Sequence, residues 1–353
     1  MLITLAERRM LPDAVIRTGI RRILEQRLYR EREAMPTDAT GRRDLMRQQF
    51  ATGPIAEETD AVRRQHDEAP TELFLEMLGP RLNHSGCHWG PGVDDLAGAE
   101  EEMLALICER AGIADGQRIL DLGCGWGALT FWMAERYPNA DIVAASNSRM
   151  QHRFIMEQAL LRGMLNVRHI VLNVADFAHE EVDGAAPDLG DDWRFDRIVS
   201  IEMFERIRNV ERLLQHLAGW LAVEGKLFVQ LFCHRDLFYR FHIDGQNDWM
   251  ARHFFAGVAM PSLDLFDHVR GPFRLDNRWE VGGEHYARTS RAWLDNLDAA
   301  GDDVLQRFRQ DLAPAAARRQ VQRWRMFVMA CEELFAYDAG RQWLVSHHLL
   351  ARS

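Results

Sequence analysis

From about residue 96 to residue 231 the chain alternates two hydrophobic patterns. Short, almost wholly apolar runs are separated by longer stretches in which apolar residues recur every third or fourth position. Runs of the first kind read as strands buried on both faces, and stretches of the second kind as amphipathic helices. The strands are Ile119-Leu120 closing in Asp121, Asp141 to Ala145, Val167 to Leu172, Phe195 to Ser200 and Lys226 to Leu231. Helices are expected over Leu96 to Ala111, Ala128 to Ala134 and Gln151 to Leu161. Alternating strands and helices predict an α/β fold, a doubly wound, mostly parallel sheet with helices on both faces. In such a sheet a ligand sits beyond the C-terminal ends of the strands.

Either side of this core the pattern changes. Residues 1 to about 65 are helical and polar, with Ile16, Ile20, Ile23 and Leu24 on one face and arginines on the other. Thr52-Gly53-Pro54 and the charged stretch to Ala69 read as linker, and another helix starts at Pro70. Residues 181–194 read as an acidic Gly/Pro loop. From 236 to 270 the chain is rich in aromatics, among them Phe238, Tyr239, Phe241, Trp249, Phe254 and Phe255. That composition fits a cap over an apolar pocket, or a satellite of the core. Residues 315–336 return to a helix carrying Trp324, Phe327, Val328, Cys331 and Phe335 along one side, and Gln342 to Leu350 could add a last strand. The expected division is a helical extension over 1–80, a nucleotide-binding core over 81–235, a substrate cap over 236–304 and a closing helix and strand over 305–353.

Composition narrows the function classes. A formal charge of −10 over 353 residues argues against wholesale nucleic-acid binding. Arg8, Arg9, Arg17, Arg21, Arg22, Arg27, Arg30 and Arg32 crowd the first tenth of the chain, while Lys226 is the sole lysine. The first helix is read as packed on the domain; a basic amphipathic segment at a membrane surface is the less favoured alternative. No apolar run is long enough for a membrane-spanning helix. The five cysteines, Cys87, Cys108, Cys124, Cys233 and Cys331, are scattered and form no C-x-x-C pair. Reduced thiols in the cytoplasm fit better than disulfides or a metal site. An acidic chain with an added helical arm could also form a homodimer.

The chemistry gathers at the strand ends. Asp121-Leu122-Gly123-Cys124-Gly125-Trp126-Gly127 places a glycine-rich turn between a strand and a helix, where backbone must approach a nucleotide-like ligand. It lacks the G-x-x-x-x-G-K-[ST] spacing of a phosphate cradle. Ser146 and Asn147 end the second strand, with Gln151 about one helical turn further on; Asn173 and Val174 follow the third. After the fourth come Glu202 and Glu205. If they open a helix they share a face at i and i+3. Paired carboxylates could hold a cationic amine, or one could act as a base with its pKa raised by the other; glutamates capping a helix are the plainer alternative.

The glycine turn resembles motif I of the S-adenosylmethionine-dependent methyltransferases. With Pro70-Thr71-Glu72, His84-Ser85-Gly86-Cys87, Ser200 to Glu205, Leu227-Phe228-Val229, Phe232-Cys233-His234, Met260-Pro261-Ser262 and His285 to Ser290, the chain from Pro70 onward resembles the cyclopropane-fatty-acid synthase and mycolic-acid synthase superfamily. Within it the likeness is greatest to the coclaurine and pavine N-methyltransferases. The resemblance implies a Rossmann-like class I methyltransferase using S-adenosyl-L-methionine and releasing S-adenosyl-L-homocysteine. It implies donor contacts at Ser85, Asp121, Gly123, Gly125, Ser146, Asn147, Gln151, Asn173 and Val174. Glu202, Glu205 and Arg206 match a catalytic Glu-x-x-Glu-His segment, except that Arg206 stands where the histidine would be. Arginine does not take up a proton near neutral pH, so deprotonation would fall to Glu205 or water, or Arg206 would bind an anionic group. Cyclopropane synthases are expected to hold a bicarbonate base; Cys87, Glu205 and Tyr286 match that set, while Gln230 and Phe232 depart from it.

The expected function is methyl transfer to a small-molecule amine in an aromatic pocket. Candidates for its walls are Cys87, Trp89, Phe204, Phe254, Tyr286, Phe335 and Trp343. A lipid-modifying cyclopropane synthase or fatty-acyl methyltransferase is the alternative, and a donor-binding protein without catalysis a third.

Overall fold

A computed structural model of the protein describes residues 2–57, 69–175, 194–241 and 248–353. The linker expected up to Ala69 and the acidic loop expected over 181–194 fall largely outside them. In chain order the first elements are α1 (Leu2–Glu7), α2 (Asp13–Ala34), α3 (Ala39–Phe50), β1 (Ala51–Ala56), α4 (Thr71–Met77), α5 (Leu96–Ala111), β2 (Arg118–Leu122), α6 (Ala128–Arg136), β3 (Asp141–Ser146), α7 (Arg149–Leu161) and β4 (Val167–Val171). They are followed by β5 (Phe195–Ile201), β6 (Ile207–Asn209), α8 (Val210–Trp220), β7 (Leu221–His234), β8 (Tyr239–Arg240), α9 (Trp249–His253), β9 (Ala259–Met260) and α10 (Leu265–His268). The chain ends with β10 (Phe273–Val281), α11 (Gly283–Ala299), α12 (Gly301–Asp311), α13 (Pro314–Ala336) and β11 (Trp343–Arg352).

Seven strands form the central sheet in the order β10-β11-β7-β5-β2-β3-β4. The run from β7 to β4 is parallel, as the apolar pattern predicts, while β11 and β10 close one edge antiparallel. From β2 the chain winds outward through β3 and β4, then crosses back to place β5 on the other side of β2. That reversal opens a crevice above the C-terminal ends of β2 and β5. The glycine turn leaves β2 there, and Glu202 leaves β5 there. Helices cover both faces, and a separate apolar cluster fills each side of the sheet.

Three expectations need correction. Thr52-Gly53-Pro54 is not linker: β1 pairs antiparallel with β6, Ala51 opposite Asn209 and Ala56 opposite Ile207. The range 236–304 is not all cap. It contains β10, an edge strand of the main sheet, and α11, whose inner face packs against the core. β10 escapes sequence reading because it carries charges at most exposed positions and a register shift between Leu275 and Asn277, features that guard an open sheet edge. The segment Glu202 to Arg206 does not open an α-helix. Glu202 lies in the left-handed region at φ 49°, and a single 3-10 turn spans Phe204 to Arg206.

Several of the N-terminal arginines have partners within the chain. Arg17 pairs with Glu332 at 2.7 Å and Glu333 at 2.8 Å, and Arg21 with Glu333 at 2.6 Å. These contacts fix α2 to α13. Arg27 lies over the rings of Tyr239 and Phe241. The apolar stripe of α2 turns inward, with Ile16, Leu24 and Leu28 buried.

Candidate active site

The glycine turn is built as its sequence requires. Gly123, Gly125 and Gly127 all have positive φ, 83°, 55° and 82°, which only glycine adopts without strain. The turn is tied to the neighbouring strand, as Gly123 N–H and Cys124 N–H both donate to the Ala145 carbonyl, at 2.8 and 3.1 Å. A Cβ on Gly123 would stand 3.0 Å from the Met203 side chain, whereas one on Gly125 would meet nothing within 4 Å. The backbone at Gly125 therefore faces open space. Gly123, Gly125, Trp126 and Gln151 lie on the wall of a cavity of about 700 Å³.

The carboxylates line the same cavity. Glu202 accepts from Gly86 N–H at 3.1 Å, from the Gln230 amide at 3.3 Å and from the Tyr286 hydroxyl at 2.9 Å. The positive φ at Glu202 turns its side chain back toward the loop holding Gly86. Glu205 accepts from Phe232 N–H at 2.7 Å through Oε1, and its Oε2 is buried with no partner. Burial pushes Glu202 up to about 7. Burial, and then the charge of Glu202, push Glu205 well above the usual carboxylate range. Two carboxylates that interact in this way resist carrying two full charges. Tyr286 is fixed by stacking on Phe335, with centroids 4.1 Å apart and planes at 11°.

Arg206 and His84 also line the cavity. His84 sits edge-on to Phe74 and tilted against Trp293. Burial, and then the charge of Arg206, lower it to about 4, so the ring is neutral. The rest of the wall is apolar: Phe254 stacks on Phe327 at 4.3 Å and meets Trp324 edge-on at 5.1 Å. Ile16, Ile20 and Ile23 of α2 roof the space.

Of the residues singled out in the sequence, Gly123, Gly125, Gln151, Glu202, Glu205, Arg206, Phe254, Tyr286 and Phe335 share this one cavity. Others do not reach it. Asp121 is buried behind the turn, where it accepts from the Thr130 hydroxyl at 2.6 Å, and burial holds it at about 6; it braces the turn to α6 rather than facing a ligand. Ser146 points at His169, 3.4 Å away, and Asn147 is exposed at the end of β3. Asn173 and Val174 are half-buried past β4. Ser85 donates to Asn83 at 2.8 Å, under the loop that carries Gly86.

Four expected wall residues belong to the core instead. The Cys87 thiol donates to the Ser85 carbonyl. Trp89 donates its ring N–H to Thr289 and lies under Arg288. Phe204 meets Phe266 on the far side of the sheet, because successive residues of the 3-10 turn point apart. Trp343 is fully buried and donates to the Tyr239 hydroxyl at 3.1 Å. Their place on the wall is taken by Phe74, His84, Trp126, Trp293 and Trp324. The signal for Trp126, His84 and Trp324 was present in the G-C-G-W-G turn, in the loop at Asn83 to Gly92 and in the aromatic side of α13, while Phe74 on α4 and Trp293 on α11 carried none.

The donor set fits S-adenosylmethionine on the side of the glycine turn, where backbone without a Cβ meets open cavity. No cluster of side chains suited to a metal ion occurs among the described residues.

Comparison with known proteins agrees with this geometry. Residues 56–342 match the family model for mycolic acid cyclopropane synthetase. The (S)-coclaurine N-methyltransferase of Thalictrum flavum subsp. glaucum is 33% identical over 307 residues, covering 84% of this chain and 80% of that protein. The cyclopropane-fatty-acyl-phospholipid synthase of Escherichia coli (strain K12) is 26% identical over 280 residues, 75% of this chain and 66% of that protein. The crystal structure of coclaurine N-methyltransferase bound to N-methylheliamine and SAH superposes with a TM-score of 0.90 at 31% identity, covering 99% of each chain.

Proposed function

The chain belongs to the mycolic acid cyclopropane synthetase family of S-adenosylmethionine-dependent methyltransferases, and from that premise we propose that it N-methylates a small-molecule amine with a largely apolar or aromatic body. The observation that carries this reading is the interacting pair Glu202, half-buried, and Glu205, fully buried, on the wall of the same aromatic cavity as the glycine turn. The same geometry disfavours a bicarbonate-assisted reaction on lipid. The Tyr286 hydroxyl and the Phe232 N–H, which would hold such an anion, already donate to the two glutamates. The glutamates instead present acceptors, and a cationic amine supplies donors.

When bound, S-adenosylmethionine supplies an electrophilic methyl on a sulfonium sulfur. Gly123 and Gly125 are assigned to its amino-acid side and Gln151 to its ribose, since these three line the cavity. The unpartnered Oε2 of Glu205 takes a hydrogen bond from the incoming ammonium. The glutamate pair then accepts the proton, since its raised pKa values bring a carboxylate closer to the basicity of an amine in a dry site. Gly86, Gln230 and Tyr286 hold Glu202 so that the released lone pair faces the glycine turn. Rate comes chiefly from that fixed approach. The ring faces of Phe254, Trp324 and Phe327 exclude water and favour a cationic guest.

Five buried, unpaired cysteines support a reducing, cytoplasmic location, and no helix of the described residues is long and apolar enough to cross a membrane. The reading is tested by incubating the protein with methyl-labelled donor and a panel of cyclic and open-chain aromatic amines. Mass spectrometry is expected to find N-methyl products. Label confined to unsaturated acyl lipids, with none on any amine, would reverse the assignment.

A further inference from the structure

Arg206 is anomalous in this cavity. It follows Glu205 directly, is largely buried and lines the cavity, yet its guanidinium makes no hydrogen bond and no ion pair with any described residue. A guanidinium cannot shed its charge as a buried lysine does, and an uncompensated buried charge is costly. Glu205 feels its charge but spends Oε1 on Phe232 N–H. Two arginines of α2 also reach the wall: Arg27 is paired with Glu31 at 3.3 Å, and Arg22 is exposed to solvent. His253 has Glu7 at 3.6 Å. Near Arg206 the His84 ring, likewise without a hydrogen bond, adds a neutral donor and acceptor. The cavity thus offers a carboxylate pair for a cation and, beside it, a guanidinium that lacks its anion.

We propose that Arg206 binds a carboxylate carried by the acceptor, so that the methylated amine is an aromatic amino acid-like zwitterion and not a simple amine. This rests on the N-methylation reading above. The planar guanidinium fork matches a carboxylate in two parallel hydrogen bonds. The amine of the same molecule then falls against Glu205 Oε2, because Glu205 and Arg206 line one cavity and that oxygen has no partner. Net charge balances: the guest brings one charge of each sign to a wall that presents both.

The test compares three matched acceptors, 1,2,3,4-tetrahydroisoquinoline, its 3-carboxylic acid and the methyl ester of that acid, on the wild type, Arg206→Gln and Arg206→Lys. For the wild type, kcat/KM on the acid should exceed that on the amine and the ester by about 10-fold or more, the value of one buried charge-assisted contact. In Arg206→Gln that ratio should collapse toward one, with Arg206→Lys between. Calorimetry adds a readout free of turnover: the acid should bind the complex with S-adenosylhomocysteine at least about 10-fold more weakly in Arg206→Gln. Equal use of acid, ester and amine by the wild type overturns the proposal and leaves N-methylation standing. So does an Arg206→Gln variant that keeps its preference, or one that loses affinity for S-adenosylhomocysteine alone, which would assign the guanidinium to the donor's own carboxylate. Absence of product from all three, and from the wider amine panel, removes the N-methylation reading and the proposal together.

Discussion

Removing the hydroxyl of Tyr286 should move the pH dependence of the reaction and little else. In Tyr286→Phe the ring remains free to stack on Phe335 at 4.1 Å, so the wall keeps its shape. What is lost is the 2.9 Å hydrogen bond to Glu202 Oε2, one of three that favour the ionised carboxylate. A hydrogen bond to a buried charge is worth about 1.5–3 kcal/mol, or roughly 1–2 pK units. Glu202 starts at about 7, so its midpoint should rise to roughly pH 8–9. The proton is held more tightly, hence the loss falls on the acid side: at pH 7 the ionised fraction drops from about half to between a tenth and a hundredth, a rate loss of about 5- to 50-fold. Above about pH 9 the variant should approach wild type. The assay is kcat/KM from pH 5.5 to 10 on one amine, plotted as the ratio of variant to wild type so that the titration of the amine itself cancels. A ratio flat with pH would refute the reasoning, because it would mean that Tyr286 shapes the wall and does not tune Glu202.

Other outcomes follow from the same geometry. Glu202→Gln should abolish most turnover yet stabilise the fold above neutrality. A carboxyl raised from 4.5 to about 7 contributes stability that is present below the unfolded pKa and lost as pH rises through 7; the variant should regain up to roughly 3 kcal/mol near pH 8, seen as a higher Tm that converges with wild type near pH 4. Gly125→Ala meets no atom within 4 Å but places a Cβ at φ 55°. It should cost about 1–2 kcal/mol of stability and weaken S-adenosylhomocysteine in calorimetry; unchanged affinity would remove Gly125 from the donor site. Phe254→Leu should raise the KM of an aromatic amine by about 3- to 10-fold through lost ring contacts and leave donor affinity alone, and a change confined to the donor would misplace the acceptor pocket.

What the sequence made legible follows from where side chains are constrained on all sides. β2, β3 and β5 lie under helices on both faces, so each had to be a short apolar run, and the parallel sheet could be read from them directly. β1 and β10 have open faces, and their residues are set by pairing and by solvent, which leaves no apolar run to find. The convergence of Glu202 and Glu205 was legible from their place after a central strand, though not the means. A left-handed residue and a single 3-10 turn aim both side chains into the cavity, with no helical face involved. Aromatics were the weakest inference. Trp343 and Trp324 look alike in sequence, but the first is enclosed by a strand buried on both faces and the second sits on the cavity side of a helix. Which side a ring takes depends on packing partners hundreds of residues away. Asp121 shows the same limit: a polar residue at a strand end read as a ligand contact, and its hydroxyl partner Thr130 lies nine positions on, inside α6.

The two halves of the cavity come from different parts of the chain. Glutamates and glycine turn stand on the sheet, while the ceiling is a stripe of isoleucines on a helix clamped by Arg17 and Arg21 to a pair of glutamates on α13. Guest selection and bond-making are therefore separable inheritances. An ancestor could exchange the ceiling, residue by residue, and explore new amines without disturbing the groups that move the proton, and a designer can do the same: libraries confined to Ile16, Ile20 and Ile23 should redraw the range of acceptors while the reaction itself stays put.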